Sequence, residues 1–111
     1  MNNILIIEAD FKLAERIGWA MREAETHVYT CSTFASAVAL LKREVFQLII
    51  IETKLPDGDG NELIDELNNG FYESKNPAII LVVPYGERLN VQKFKELCIS
   101  DYITKPFNTA V

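Results

Sequence analysis

Residues 48–60 read LIIIETKLPDGDG, a short apolar run followed by an acidic residue and a loop of turn-forming residues. The run at 48–51 shows no polar alternation, which is typical of a strand that is buried on both faces of a sheet. The Pro and Gly residues of 53–60 break regular structure after it. Glu52 therefore stands at the carboxyl end of a predicted buried strand.

The same pattern recurs on both sides of this segment. Apolar runs at 4–7 (ILII) and 78–83 (AIILVV) predict two more buried strands, and weaker strands are predicted at 27–31 and 101–104. Helical spacing of apolar residues predicts helices at 11–24, at 34–41 after the capping residues Ser32 and Thr33, from Asp59 to Gly70, and at 88–98. The alternation predicts a doubly wound α/β fold with five parallel strands covered by helices on both sides.

Two of these helices have expected core faces that a structure can test. The first helix is expected to bury Leu13, Ile17, Ala20 and Ala24, and the same face is widened by Phe11, Ala14 and Met21. In the last helix, the residues expected to face the sheet are Leu89, Val91, Phe94 and Leu97. Both expectations rest only on the spacing of apolar residues.

The length, net charge and apolar content of the chain exclude several classes of protein. The chain has 111 residues, enough for one domain, and its net charge of -5 argues against direct binding of nucleic acid. The first ten residues lack the pattern of a signal peptide, and no apolar run approaches the roughly 18 residues of a membrane span, so a cytoplasmic protein is expected. His27, Cys31 and Cys98 lack the spacing of a metal site, and buried structural thiols are the expected role of the cysteines.

Charged residues follow the predicted strands at one edge of the sheet. Ligands of open parallel sheets bind beyond the carboxyl ends of the strands. Glu8 and Asp10 follow the first strand, Glu52 ends the third, and Lys105 follows the fifth. Their convergence fits either a binding site or a hydrated, salt-bridged rim without a function, and the positions alone do not separate the two.

Four segments carry a more specific signal: ILIIEAD at 4–10, LIIIETKLPDGDG at 48–60, PAIILVV at 77–83 and DYITKPF at 101–107. In order and spacing they resemble the receiver domain of two-component response regulators, and an OmpR/PhoB-like regulator is one type the resemblance suggests. The resemblance implies a flavodoxin-like and CheY-like sheet whose final helix is missing or truncated. It also implies that 1–111 form one receiver-like domain, the N-terminal fragment of a longer regulator.

Three positions depart from the family's pattern. The family receives a phosphoryl group from a sensor kinase on an aspartate, and that position is Glu52 here. The second member of the family's acidic Mg²⁺-binding pair is Ala9, and the hydroxyl residue at the end of the fourth strand is Val82. Lys105 matches, and Tyr102 occupies the family's aromatic switch position.

These departures predict loss of the phosphoryl-transfer activity. Mg²⁺ prefers octahedral oxygen coordination, so the loss of a carboxylate at Ala9 weakens a metal site of Glu8, Asp10 and Glu52. Misplacement of a reacting group by about 1 Å can cost roughly 10²-fold, and Val82 removes a hydrogen-bond donor. We therefore expect a non-enzymatic, phosphorylation-independent receiver without a resident cofactor.

The resemblance also suggests how such a domain signals. The 88–104 face, with Tyr102, is expected to contact a second copy or an attached output domain, for which a DNA-binding transcription regulator is the expected type; a sensor kinase is a further possible partner. Dimerisation or an exchanged segment is expected to cover the sheet where the last helix is missing. The peptide bond between Lys105 and Pro106 is cis in the family.

Several alternatives stay open at this point. Glu52 and Lys105 could form a permanent ion pair that holds the pocket in an active-like state, or the pocket could be inert. A working receiver would instead accept phosphate on Glu52, with Mg²⁺ held by Glu8 and Asp10. A flavodoxin-like small-molecule binder is the remaining alternative, since this fold class is shared widely.

Overall fold

The computed structural model describes residues 2–23, 25–84, 86–88 and 90–105. It contains seven strands and four helices within these ranges. Their bounds, in chain order, are β1 (Asn2–Ile7), α1 (Phe11–Ala20), β2 (Thr26–Cys31), α2 (Phe34–Arg43), β3 (Leu48–Glu52), β4 (Lys54–Leu55), β5 (Gly58–Asp59), α3 (Gly60–Asn68), β6 (Ala78–Val83), α4 (Val91–Glu96) and β7 (Asp101–Thr104).

The main sheet has five parallel strands in the order β2-β1-β3-β6-β7. This arrangement confirms the predicted five-stranded, doubly wound fold. In its register Ile50 of β3 pairs with Ile80 of β6, and Glu52 pairs with Val82. All five carboxyl ends therefore point to one edge, where the predicted site residues lie.

The apolar runs divide between two cores on opposite faces of the sheet. Alternate residues of one strand go to opposite cores, since Ile49 and Ile51 lie in the larger cluster and Ile50 in the smaller. The larger cluster includes Leu41 of α2 and further residues of α3. Burial on both faces explains why these strands carry no polar alternation.

The first helix is shorter than predicted, and its core face is different. It ends at Ala20, which is exposed, and Ala24 lies outside the described residues. The buried positions are Ala14, Ile17 and Gly18. Leu13 and Met21 pack, partly buried, against the smaller core as expected, whereas the burial expected of Phe11 and Ala20 was wrong because both are exposed.

The last helix is also shorter than predicted. It spans Val91–Glu96, with the side chain of Asn90 capping its first turn at the amide of Lys93. Val91 is exposed, Phe94 is half-buried and only Leu97, just past the helix, is buried. The expected core role of Val91 was therefore wrong, and Leu89 lies outside the described residues.

The predicted caps are in place. Thr33 and Ser36 form a reciprocal capping box at the start of α2, and Asp59 caps α3 by accepting from the amide of Asn61 at 2.8 Å. Gly70 has a φ of 77° just beyond α3, a conformation that favours glycine.

Two predictions fall outside the described residues. The missing final helix and the isomer of the bond to Pro106 both concern residues 106–111. Within the described ranges, no helix is long and apolar enough to cross a lipid bilayer.

Candidate functional site

Two buried carboxylates meet one lysine at the carboxyl edge of the sheet. Lys105 Nζ lies 2.9 Å from Glu8 Oε2 and 3.0 Å from Glu52 Oε2. Glu8 is 1% exposed and Glu52 is 5% exposed, while the Lys105 side chain is 23% exposed. The sequence placed these three residues at one edge, and the structure brings them into direct contact.

The strand ladders fix this cluster because their hydrogen bonds continue past the strand ends. The amide of Glu8 donates to the carbonyl of Cys31 at 3.0 Å, and the amide of Lys105 donates to the carbonyl of Val83 at 2.8 Å. Both charged side chains are thus held on backbone that belongs to the rigid sheet.

The electrostatics of the cluster centre on Glu52. Burial and the neighbouring Glu8 raise the pKa of Glu52 to about 7, although the Lys105 ammonium acts in the opposite direction. Burial works to lower the pKa of Lys105, but its hydrogen bonds to Glu8 and Glu52 outweigh burial and raise that pKa. One ammonium therefore serves two carboxylates, and a proton on Glu52 relieves the excess negative charge.

Asp10 does not join this cluster. Its Oδ1 accepts from the amides of Lys12 and Leu13 and caps α1, while its own amide donates to Glu8 Oε2 at 2.9 Å. Asp10 is thus tied into the start of the helix.

The donor set does not fit the Mg²⁺ ion that the family implies. Ala9 offers no side-chain oxygen, and the Asp10 carboxylate caps α1. The Oε2 atoms of Glu8 and Glu52 accept from Lys105, so the buried Glu8 Oε1, which lacks a hydrogen-bond partner in the part of the chain that the structure describes, has no second acidic side chain of the family's pair beside it. Among the described residues, no group of three or more His, Cys, Asp or Glu side chains is arranged to hold a metal ion.

Val82 faces the apolar core. It is fully buried and packs in the smaller cluster with Ile50 and Ile6, directly opposite Glu52 in register. It has no hydrogen-bond donor to offer a group bound beside Glu52. The nearby hydroxyl of Thr53 instead donates to Glu87 Oε1 at 3.3 Å, which links the loops that follow β3 and β6.

The loop after β3 contains structure that the sequence analysis missed. Strands β4 and β5 form a small antiparallel hairpin, and Asp57 at its tip accepts from the amides of Phe34 and Ala35 at 2.6 and 3.0 Å. These bonds lower the pKa of Asp57 and fasten the loop to the start of α2. The Asp-Gly turn could have suggested a hairpin, but its contact with α2 has no local sequence signal.

Tyr102 lies away from the charge cluster. It is exposed on the edge strand β7 and packs edge-to-face on Phe94 of α4, with ring centroids 5.8 Å apart. Val91 is exposed on the same helix, so the 88–104 segment presents apolar side chains to its surroundings.

The raised pKa of Glu52 predicts how stability changes with pH. Because the folded pKa is about 7 and the ordinary value is 4.5, the contribution of the neutral carboxyl is present below pH 4.5 and lost as the pH rises through 7. We expect the free energy of unfolding to fall in this window by up to about 1.4 kcal/mol per pH unit from this group. Urea unfolding at several pH values measures the slope.

Glu52→Gln should flatten that slope, because glutamine does not titrate. Glu73→Gln changes an exposed carboxyl and should leave the slope unchanged. Equal slopes in Glu52→Gln and the unmodified protein would contradict the shifted pKa.

The parallel strand order β2-β1-β3-β6-β7 is that of the flavodoxin-like doubly wound fold. The family model of the response regulator receiver domain matches residues 4–111, and the chain belongs to this family. The receiver resemblance is thus confirmed, and the alternative of a flavodoxin-like small-molecule binder is set aside.

Individual relatives are distant. The chain is 24% identical over 105 residues to the regulatory protein VanRc of Enterococcus gallinarum, covering 95% of this chain and 44% of that protein. It is 26% identical to the transcriptional activator protein PfeR of Pseudomonas aeruginosa, covering 96% of this chain and 34% of that protein. The chain spans less than half the length of either relative.

A solved structure confirms the fold. The response regulator DrrB of Thermotoga maritima, an OmpR/PhoB homologue, superposes with a TM-score of 0.80 at 24% sequence identity. The match covers 97% of this chain and 47% of that one.

Proposed function

We propose that this receiver domain signals without being phosphorylated. In this proposal the Glu8–Lys105–Glu52 charge cluster replaces the phosphoryl chemistry of the family and holds the pocket in one state. The domain then acts through protein contacts and catalyses no reaction of its own.

The observation that supports this proposal most directly is the contact of Lys105 with the carboxylates of both Glu8 and Glu52. Lys105 Nζ is within 3.0 Å of Glu52 Oε2 and already accompanies a second buried carboxylate, Glu8. An incoming phosphoryl group would bring further negative charge to a place where the single Lys105 ammonium already contacts two buried carboxyl groups. The arrangement supports a permanently paired pocket over one awaiting a phosphoryl group.

Two further features support the proposal. Val82 packs into the core and cannot donate to transferring oxygens. The donor set lacks the second family carboxylate at Ala9, and Asp10 is occupied as a helix cap. Each defect weakens the same reaction.

The 88–104 segment is the proposed contact surface. Tyr102, Phe94 and Val91 offer aromatic and aliphatic area there, of the kind enriched in protein interfaces. The named relatives are regulators of more than twice the chain's length, so we propose an attached output domain that regulates transcription, or a second copy, as the occupant. In this proposal 1–111 form the N-terminal receiver of a longer, cytoplasmic regulator, its own surface binds no nucleic acid, and a sensor kinase is a further partner.

Reversing all three departures is the experiment that tests the proposal. The variant carrying Ala9→Asp, Glu52→Asp and Val82→Thr restores the metal carboxylate, the shorter acceptor and the hydroxyl donor. We expect it to acquire a phosphoryl group from a small phosphodonor with Mg²⁺, at a rate at least about 10²-fold above Glu52→Asp alone. Intact-mass spectrometry over time measures both rates.

Thermal unfolding of each variant provides the folding control, since the charge cluster changes with Glu52. Equal labelling of the single and triple variants would show that Ala9 and Val82 are no obstacle to transfer, and the proposal would lose two of its three supports.

A further inference from the structure

Helix α1 carries an exposed aromatic surface. Phe11 and Trp19 of α1 are 71% and 67% exposed, although large aromatic side chains are usually mostly buried. They border a groove of about 270 Å³ between α1 and the edge strand β2. Exposed aromatic side chains beside a groove mark a protein contact surface.

The groove has a recessed part and an exposed rim. Ala14 and Gly18 are buried within it, and the small size of both residues leaves space above them. The rim carries Trp19 together with the oppositely charged residues Glu15 and Arg22. A volume below the roughly 300–1,000 Å³ of small-molecule pockets favours a protruding side chain as the occupant.

The charges on this rim are self-complementary. Glu15 lies three residues before Gly18, and Arg22 lies three residues after the adjacent Trp19. If a second α1 runs antiparallel with a two-fold axis beside that pair, Glu15 faces Arg22 and Trp19 faces Gly18 in both directions. A two-fold interface requires this kind of reciprocal match.

We propose that the groove between α1 and β2 is a homodimer interface, in which two α1 helices pack antiparallel and Trp19 of each copy enters the groove of the other. Glu15 of each copy then pairs with Arg22 of the other. The Arg22 guanidinium already lies 4.7 Å from the centroid of the Trp19 ring. This contact holds the indole in place and lowers the entropy that docking costs.

No residue that lines this groove belongs to the charge cluster or to the 88–104 segment, so the inference does not depend on the proposed function. Trp and Arg are among the residues most enriched where interfaces derive their affinity, and Phe is enriched in interface cores. The occupant is a second copy because the charges of the rim match themselves under a two-fold rotation.

Trp19 is the only tryptophan in the chain, and it reports on its own burial. We expect its emission to shift to shorter wavelength and its quenching by acrylamide to fall as the 111-residue protein is concentrated. Sedimentation equilibrium should show a monomer–dimer transition over the same concentrations. A protein that stays monomeric up to millimolar concentration would overturn the proposal.

Charge reversal tests the symmetry. Glu15→Arg and Arg22→Glu should each weaken self-association at least about tenfold, because each places like charges together. An equimolar mixture of the two variants restores opposite charges at both contacts, so we expect heterodimers to form. Failure of the mixture to associate would contradict the antiparallel pairing even if both single variants are monomers.

A control variant separates this surface from the other apolar one. Tyr102→Ala should leave the dimer intact, with circular dichroism confirming that every variant is folded. Loss of the dimer in Tyr102→Ala, with association retained in Glu15→Arg, would place the interface on the 88–104 segment and overturn the proposal.

Discussion

Gly60→Ala is expected to lower the free energy of unfolding by about 3 kcal/mol or more. A Cβ atom at this position would overlap the carbonyl oxygen of Glu52, closer than the 3.0 Å that real Cβ atoms keep from other heavy atoms. The obstacle is backbone at the end of a central strand, which cannot turn aside as a side chain can. The amide of Gly60 also donates to the Thr53 carbonyl at 2.8 Å and closes the loop.

Gly18→Ala is the matched control for this substitution. A Cβ there meets Val28 and Ile6 at ordinary distances of 3.6 and 3.8 Å, within a helix. Alanine is favoured over glycine in a helix by about 0.5–1 kcal/mol, so stability should hold or rise. Because Gly18 also lines the groove of α1, urea unfolding of both variants is measured at a protein concentration at which the unmodified chain is monomeric. A Gly60→Ala protein as stable as Gly18→Ala would contradict the close approach.

Lys105→Met is expected to destabilise the domain by about 3 kcal/mol at pH 8. The change removes the only cation that contacts Glu8 and Glu52 within the described part of the chain and leaves two buried carboxylates together. Below pH 7 the loss should shrink, because a proton on Glu52, whose pKa is already raised, relieves the repulsion. Urea unfolding at pH 5 and pH 8 measures the difference.

Lys54→Met provides the comparison for a lysine at the same edge of the sheet. Lys54 is 79% exposed and lies 3.6 Å from Glu87, so its loss should change stability by less than about 1 kcal/mol. Adding Glu52→Gln to Lys105→Met should recover part of the lost stability. If Lys54→Met and Lys105→Met lowered the free energy of unfolding equally, the buried cluster would stabilise the domain no more than an exposed ion pair does.

The strands were predictable because burial on both faces of the sheet alone determines their composition. A run such as 78–83 has to face two apolar cores, and an uninterrupted apolar sequence is the direct result. Helix bounds were less predictable, since Ala20 and Val91 have apolar side chains whose burial depends on where the sheet ends. Spacing alone cannot supply that position.

The candidate site was predictable to a similar extent. The strand ends placed Glu8, Glu52 and Lys105 together, but position alone could not show that one lysine contacts both carboxylates. Asp10 was expected near a metal and is instead a helix cap, since a carboxylate beside free amides satisfies them first. The hydrogen bonds that Asp57 accepts from the start of α2 join segments far apart in the chain, so no local sequence pattern indicates them.

The most direct test of the central claim is incubation of the unmodified protein with a small phosphodonor and Mg²⁺, followed by intact-mass spectrometry. The paired Glu8–Lys105–Glu52 cluster predicts a mass that does not change. A stable phosphoryl adduct that peptide mapping places on Glu52, or on a neighbouring carboxylate, would contradict the account and make this domain a working phosphoacceptor.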